Sequence, residues 1–211
     1  MLILKIVLSI IVSYLIGSIP TAYITGKLYR GIDIRQYGSG NIGATNVFRV
    51  LGKIPGIIVL VIDIAKGLVA TAFVANLFGL TQVFSYVLVG LAVVSGHNWT
   101  VFLKFKGGKG MATSLGVLIG LTIKIALIRP VLLISVALWA ILFLLSGYVS
   151  LASIVSCATL PFLMIFLTWS LELTILGIIF AIFVVVRHRA NIRRLLAGEE
   201  HRVSFPFKKR K

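Results

Sequence analysis

Acidic side chains are scarce in this chain. Asp33, Asp63, Glu172, Glu199 and Glu200 are the full set among 211 residues. They are scattered, so no carboxylate cluster is at hand for magnesium or zinc, and no carboxylate pair for acid–base work. That argues against a metal-dependent phosphotransferase, and neither metal nor cofactor is expected. Cysteine occurs once, as Cys157 in an apolar run. An intrachain disulfide framework and a cysteine zinc site are therefore excluded, and Cys157 reads as a small buried hydrophobe. Of the histidines, His97, His188 and His201, only the last has carboxylates nearby in sequence, so no Ser-His-Asp set is apparent. No A-x-A-type site follows the first apolar stretch, and Lys5 is the only early cation. That stretch reads as a retained helix, not a cleaved leader.

What the chain has is apolar surface in long runs. Hydrophobic residues make up 59% and charged residues 12%, with a mean hydropathy of +1.10. Soluble domains carry about 25% charged residues. Runs such as LILKIVLSIIVSYLIGSI and PVLLISVALWAILFLLSGYV are long enough to cross a bilayer. The pattern predicts an all-α integral membrane protein of about seven helices, near 2–24, 54–78, 82–102, 110–124, 130–147, 149–168 and 171–187. The fourth is short and interrupted by glycine. Residues 1–211 read as one polytopic domain with a basic tail from about 198, a membrane-surface anchor that includes Phe205 and Phe207.

The net charge of +16 could suggest nucleic acid, but its placement points to a membrane. With seven helices, every Lys and Arg except Lys5, Lys66, Lys124 and Arg129 falls on the side of the C-terminus or next to it. Cytoplasmic loops carry such an excess, so the N-terminus is expected outside and the C-terminus inside. The basic face then meets anionic lipid, and no nucleic-acid partner is expected. Within the second helix, Asp63 and Lys66 lie at i, i+3 and read as a structural ion pair.

Three inner segments collect groups suited to anions. The first, YGSGNIGATNVFRVLGK, brings Ser39, Gly40, Asn41, Gly43, Thr45, Asn46 and Arg49 together without an acid. Its glycines let backbone N–H groups approach a ligand, and Arg49 offers a planar fork to phosphate oxygens. The second, KFKGGKGMATS, follows GHNW with its His97. It contains Lys104, Gly107, Gly108, Lys109, Gly110 and Thr113. It is not a Walker loop: Gly110 stands where Ser or Thr is required, and Leu103 where glycine is. It keeps backbone donors, a lysine and a helix start near Met111, all of which favour phosphate. The third, VVRHRANIRRLLAGEE, places His188 and Asn191 on one helical face, and Arg187 with Asn191 on another. Such a site suits a reaction with a good leaving group, catalysed by positioning and electrostatics.

These stretches, GSGNIGATNVFRVLG, GHNWTVFLKFKGGKGMATSLG and HRANIRRLLAGEE, resemble the three signature motifs of the bacterial acyl-phosphate:glycerol-3-phosphate acyltransferases (PlsY). The resemblance spans the chain to about residue 200. One departure is Trp99-Thr100, where the family usually has Phe-Pro. The resemblance implies a seven-helix membrane protein of the bacterial inner membrane with its site on the cytoplasmic face. It implies transfer of an acyl group from acyl phosphate to the 1-hydroxyl of sn-glycerol 3-phosphate, without acyl-CoA or acyl carrier protein. Ser39, Arg49 and Lys109 would clamp a phosphate. Ser150, His188 and Asn191 would bind and orient glycerol phosphate. Ser39, Arg49, Lys109 and His188 are the expected catalytic residues, and the other loop residues named above, with His97, Ser150, Arg187 and Asn191, the expected substrate contacts. The expected mechanism is direct attack with no acyl-enzyme, the phosphate oxygens taking the proton. His188 as general base is the rival. A monomer in membrane lipid is the expected functional unit. A phosphate transporter would need a polar path to the outer side, and the helix middles offer little beyond Asp63 and Lys66. An anionic-lipid scaffold would need only the number of cations.

Overall fold

The protein is described here by a computed structural model covering residues 1–203. The expected anchor residues Phe205 and Phe207 lie outside the described residues. Those residues form helices and loops with no strand among them. The chain divides into two compact units, Met1–Ala126 and Leu127–Lys211.

The first unit contains α1 (Leu2–Ser18), α2 (Thr21–Arg30), α3 (Ala44–Leu51), α4 (Lys53–Val69), α5 (Val83–Asn98) and α6 (Met111–Lys124). A π turn, Ala70–Val74, carries α4 on to Leu77. The second unit contains α7 (Ile128–Ser146), α8 (Val149–Ala158), α9 (Leu160–Thr168), α10 (Leu171–Arg187) and α11 (Arg189–Leu196). Leu2–Arg30, Lys53–Leu77, Val83–Leu103, Ile128–Ser146 and Val149–Thr168 are each long and apolar enough to cross a membrane. The pair α10 and α11, bent by 62°, adds a sixth. All seven predicted apolar segments are helical, which makes this a multi-pass membrane protein. The predicted fourth is α6, with 14 residues. At 1.5 Å per residue it is about 21 Å long, short of the roughly 30 Å hydrocarbon core.

Three boundaries differ from the sequence reading, each for a local reason. The first predicted helix breaks between Ser18 and Thr21. Pro20 lacks an N–H, and it pushes Ile19 out of helical geometry to ψ 113°. The sixth breaks at Thr159 ahead of Pro161, which sits in the first turn of α9. The segment 37–53 contains a helix, α3, where only a loop of small donors was read.

Packing within the first unit inverts the soluble pattern. On α1 the buried positions are Ser9, Ser13, Gly17 and Ser18, while Ile3, Val7, Ile11 and Leu15 are exposed. Lipid tails are as apolar as leucine, so large side chains gain nothing by facing inward, and small residues let helices approach closely. A Cβ on Gly17 would collide with the Val93 carbonyl, and one on Gly96 with the Tyr14 carbonyl, so α1 and α5 meet backbone to backbone. Gly67 against Thr113 and Gly116 against Ile64 do the same for α4 and α6. A small apolar cluster of Ala22, Ile34, Ile42, Val47, Val59 and Leu103 supports the loops from below.

Candidate active site

In the first unit, the segment after α2 is folded by its own side chains. Gly31, at φ 68°, ends the helix in the left-handed region. Asp33 accepts from the Arg35 backbone N–H at 3.0 Å and from its guanidinium at 2.6 Å. The hydrogen bonds from the Arg35 side chain hold the Asp33 carboxyl down at about 2, well below the usual carboxylate range. Arg35 also lies over the Tyr23 ring, 5.1 Å from its centroid. Asn46, buried in the first turn of α3, reaches back across the loop. Its Oδ1 accepts from the Ser39 N–H at 2.8 Å, and its Nδ2 donates to the Tyr37 and Ile34 carbonyls at 3.0 and 3.3 Å. The side chain of Asn46 thus holds the loop, and Ser39 is the exposed residue it presents. Thr45 and Arg49, also exposed, share a face of α3 at i, i+4. Gly40 and Asn41 are half-buried on the same loop, and Gly43 caps α3.

The glycine loop is zipped to the end of α5. Gly107 N–H donates to the Asn98 carbonyl at 3.2 Å and Gly108 N–H to the His97 carbonyl at 2.9 Å. Neither glycine has room for a side chain. A Cβ on Gly107 would press on the His97 and Asn98 backbone, and one on Gly108 on the His97 ring and the Ile42 carbonyl. The Ile42 contact brings the Ser39 loop against the glycine loop. Just before the loop, Lys104 and Phe105 both adopt positive φ, 53° and 60°. Left-handed geometry costs a non-glycine residue about 1 kcal/mol or more, so the turn is strained. Lys104 is exposed and Lys109 half-buried, while Gly110, at φ 77°, caps α6. The N-terminus of α6 therefore opens directly behind Lys109. Asn98, Thr113 and Ser114 lie beneath it, buried, with side-chain atoms that lack a hydrogen-bond partner among the described residues. Thr113, predicted as a substrate contact, is fully buried here.

The Trp99-Thr100 departure has a structural use. Tyr14 Oη donates to the Trp99 carbonyl at 2.6 Å, and Thr100 Oγ1 donates to the Ser18 carbonyl at the break after α1. A proline at position 100 could not make the second bond.

In the second unit, Glu200 gathers the predicted residues. In the sequence it was read only as one of the two adjacent acids beside His201. Its Oε1 accepts from Ser150 Oγ at 2.8 Å and from Asn191 Nδ2 at 2.6 Å, and its Oε2 from Arg194 Nε at 2.8 Å. Burial alone raises the Glu200 pKa. The bonds from Asn191, Arg194 and Ser150 and the Arg194 charge outweigh it and leave the carboxyl below its ordinary value. The missed signal was local: an acid pair closing the basic helix after a glycine, where α11 ends at Leu196. His188 stands at the 62° bend between α10 and α11. Its Nδ1 donates to the Val184 carbonyl at 2.8 Å, which places the ring hydrogen there and the lone pair of a neutral ring on Nε2. The bend also separates Arg187, the last residue of α10, from Asn191 on α11, so the continuous i, i+4 face expected for that pair is interrupted.

Helices with small-residue seams, an acid-free glycine loop at a helix N-terminus and a Ser–Glu–Asn cluster define the class: a polytopic membrane protein with loops rich in glycine and polar side chains. The comparisons are specific. Residues 7–198 match the family described as Glycerol-3-phosphate acyltransferase. A glycerol-3-phosphate acyltransferase of Endomicrobium trichonymphae is 45% identical over 205 residues, covering 97% of this chain and 98% of that one. Glycerol-3-phosphate acyltransferase 2 of Moorella thermoacetica is 43% identical over 196 residues, covering 93% and 96%. The crystal structure of PlsY (YgiH), an integral membrane glycerol 3-phosphate acyltransferase in its glycerol 3-phosphate form, matches with a TM-score of 0.85 at 38% identity, covering 94% of this chain and 96% of that one. The lysphosphatidic acid form matches at 0.82. The chain belongs to the glycerol-3-phosphate acyltransferase family.

Proposed function

We propose that this protein transfers a fatty acyl group from acyl phosphate to the 1-hydroxyl of sn-glycerol 3-phosphate, as one membrane domain acting without metal or cofactor. The products are 1-acylglycerol 3-phosphate and inorganic phosphate. The observation that carries the reading is the glycine loop, whose lysine and adjoining helix N-terminus suit a phosphate but offer no acid to hold magnesium. Ser39, Arg49 and Lys109 clamp a phosphate. Gly40, Asn41, Gly43, Lys104, Gly107, Gly108 and Gly110 shape and charge its surroundings. Asn46, His97, Thr113 and Arg187 support them. Ser150, His188 and Asn191 bind and orient glycerol phosphate. The hydroxyl oxygen attacks the acyl carbon directly, and the acyl–phosphate C–O bond breaks. The departing phosphate takes the proton, and His188 Nε2 accepts a hydrogen bond that orients the hydroxyl.

The test is phosphate release and lysophosphatidate formation by purified protein given acyl phosphate and glycerol 3-phosphate. Acyl-CoA should not replace the donor. Absence of release above background overturns the reading. His188→Gln is expected to raise the KM for glycerol 3-phosphate and to cut kcat by about 100-fold, leaving a measurable rate. Unchanged affinity with no residual rate would make His188 the base and discard the scheme above.

For topology, we propose the N-terminus outside, the C-terminus inside and the site on the cytoplasmic face of the bacterial inner membrane. A Tyr37→Cys variant should react with an impermeant thiol reagent in inverted vesicles and resist it in intact cells. The opposite result reverses the orientation.

A further inference from the structure

Asp63 and Lys66 sit inside a membrane-crossing helix, 2% and 5% exposed. Such charges are costly there unless matched. Their match is complete in an unusual place, the break between α1 and α2. Lys66 Nζ lies 2.8 Å from Asp63 Oδ1 and donates to the Gly17 and Ile19 carbonyls at 3.2 and 2.9 Å. Thr21 Oγ1 donates to Asp63 Oδ1 at 3.1 Å. These bonds take up carbonyls that the end of α1 leaves without intrahelical partners. A purely structural pair would need nothing more.

The pair also has a further neighbour. His97 Nδ1 lies 3.4 Å from Lys66 Nζ and 3.7 Å from Asp63 Oδ1. Lys66 Nζ spreads its three hydrogens over Asp63 Oδ1, the Gly17 and Ile19 carbonyls and the Nδ1 edge of the ring. The Nε2 edge is the one that a Cβ on Gly108 would strike. The backbone of His97 also receives the Gly108 N–H, at 2.9 Å. Finally, one cavity of about 10 Å³, room for a single water, is lined by Thr21, Asp63, His97, Ile42, Gly107 and Gly108. The Asp63 carboxylate, the ring and residues of both loops therefore line one small space.

We propose that Asp63 and Lys66 are positioning residues for the glycine loop, acting through His97. The ion pair fixes the ring by its Nδ1 edge. The ring's other edge bears on Gly108 and sets where the loop places Lys109 and the first amides of α6. This inference rests on the loop's being a phosphate site of the acyl-transfer reading.

A double-mutant cycle tests it. Asp63→Asn and His97→Asn should each lower kcat/KM by about 30-fold, and the double variant should be no worse than either, because the two act in series. The KM should rise for one phosphate-bearing substrate and stay within about twofold for the other, whereas general loosening of the fold moves both. Additive losses, or equal rises in both KM values with a lowered Tm, overturn the proposal. Should Asp63→Asn fail to fold, Thr21→Val removes only one bond to the carboxylate. It should lower kcat/KM about threefold in the native background and not at all beside His97→Asn. No loss, or a loss in both backgrounds, refutes the proposal. Stabilisation of the purified protein by inorganic phosphate is a readout independent of turnover. It should be large in the native protein and reduced in Thr21→Val. An inactive native protein overturns the acyl-transfer reading. An active one with the same phosphate stabilisation in both proteins overturns this inference alone.

Discussion

Replacing Gly107 with alanine is expected to lower kcat/KM for acyl transfer by about 100-fold, or about 2.7 kcal/mol, while the helices remain folded. The added Cβ has no direction in which to escape. It would meet the His97 carbonyl, and the Asn98 carbonyl carbon and oxygen at 2.6 Å. All are backbone atoms at the end of α5, and that helix is itself locked to α1 through Gly17 and Gly96. The loop must therefore move, and the bonds Gly107 N–H to Asn98 and Gly108 N–H to His97 open. Overpacking of this kind costs about 1–3 kcal/mol in stability. The larger loss is in rate, because Lys109 and the first amides of α6, displaced by about an ångström, no longer meet the phosphate oxygens. Gly108→Ala should do comparable damage, since its Cβ would meet the buried His97 ring and the Ile42 carbonyl, the latter at 2.8 Å. Steady-state kinetics beside thermal unfolding in detergent decides the matter. A Gly107→Ala enzyme with native kcat/KM means that the loop does not hold substrate.

The contrast between these glycines and Glu200 shows which parts of the site were legible in the sequence. The loop could be read because its chemistry is contiguous: glycines, Lys109 and the start of α6 follow one another in the chain. The same holds for the apolar runs, each of which became helix. The sequence reading failed where partners are distant. The break at Pro20 was visible as a residue, yet nothing nearby shows that Lys66 supplies donors to Gly17 and Ile19. Asn46 looked like one more donor for a ligand, because its acceptors in the loop become apparent only once α3 forms. His97 carried a motif, but its link to Asp63 joins two helices, α5 and α4. Ser150 carried no local signal at all, and its partner lies fifty residues on.

Replacing Glu200 with alanine is expected to be the most damaging change in the second unit. Ser150 and Asn191 are both buried and both donate to its Oε1. Without the carboxylate they lose a charged acceptor, and Arg194 Nε loses its partner. Removing one side of such a buried arrangement costs about 3 kcal/mol or more, although the partial exposure of Arg194 tempers its share. The segment after α11 also loses the tether that holds it to α8. Ser150 and Asn191 then lack a fixed orientation, and turnover should fall by about 100-fold. Glu200→Gln should recover part of this, since its amide oxygen still accepts from Ser150 and Asn191 while its NH₂ group opposes Arg194. The pH dependence separates the charge from the shape. The folded carboxyl titrates below its ordinary value, so its contribution to stability is fully present above the unfolded pKa and is lost as pH falls through the folded one. Thermal unfolding of the native protein should therefore drop on acidification below the ordinary carboxylate range, and that step should be missing from Glu200→Gln. Equal acid sensitivity in the two proteins, or native turnover in Glu200→Ala, would show that the carboxylate does not organise the Ser150–Asn191 pair.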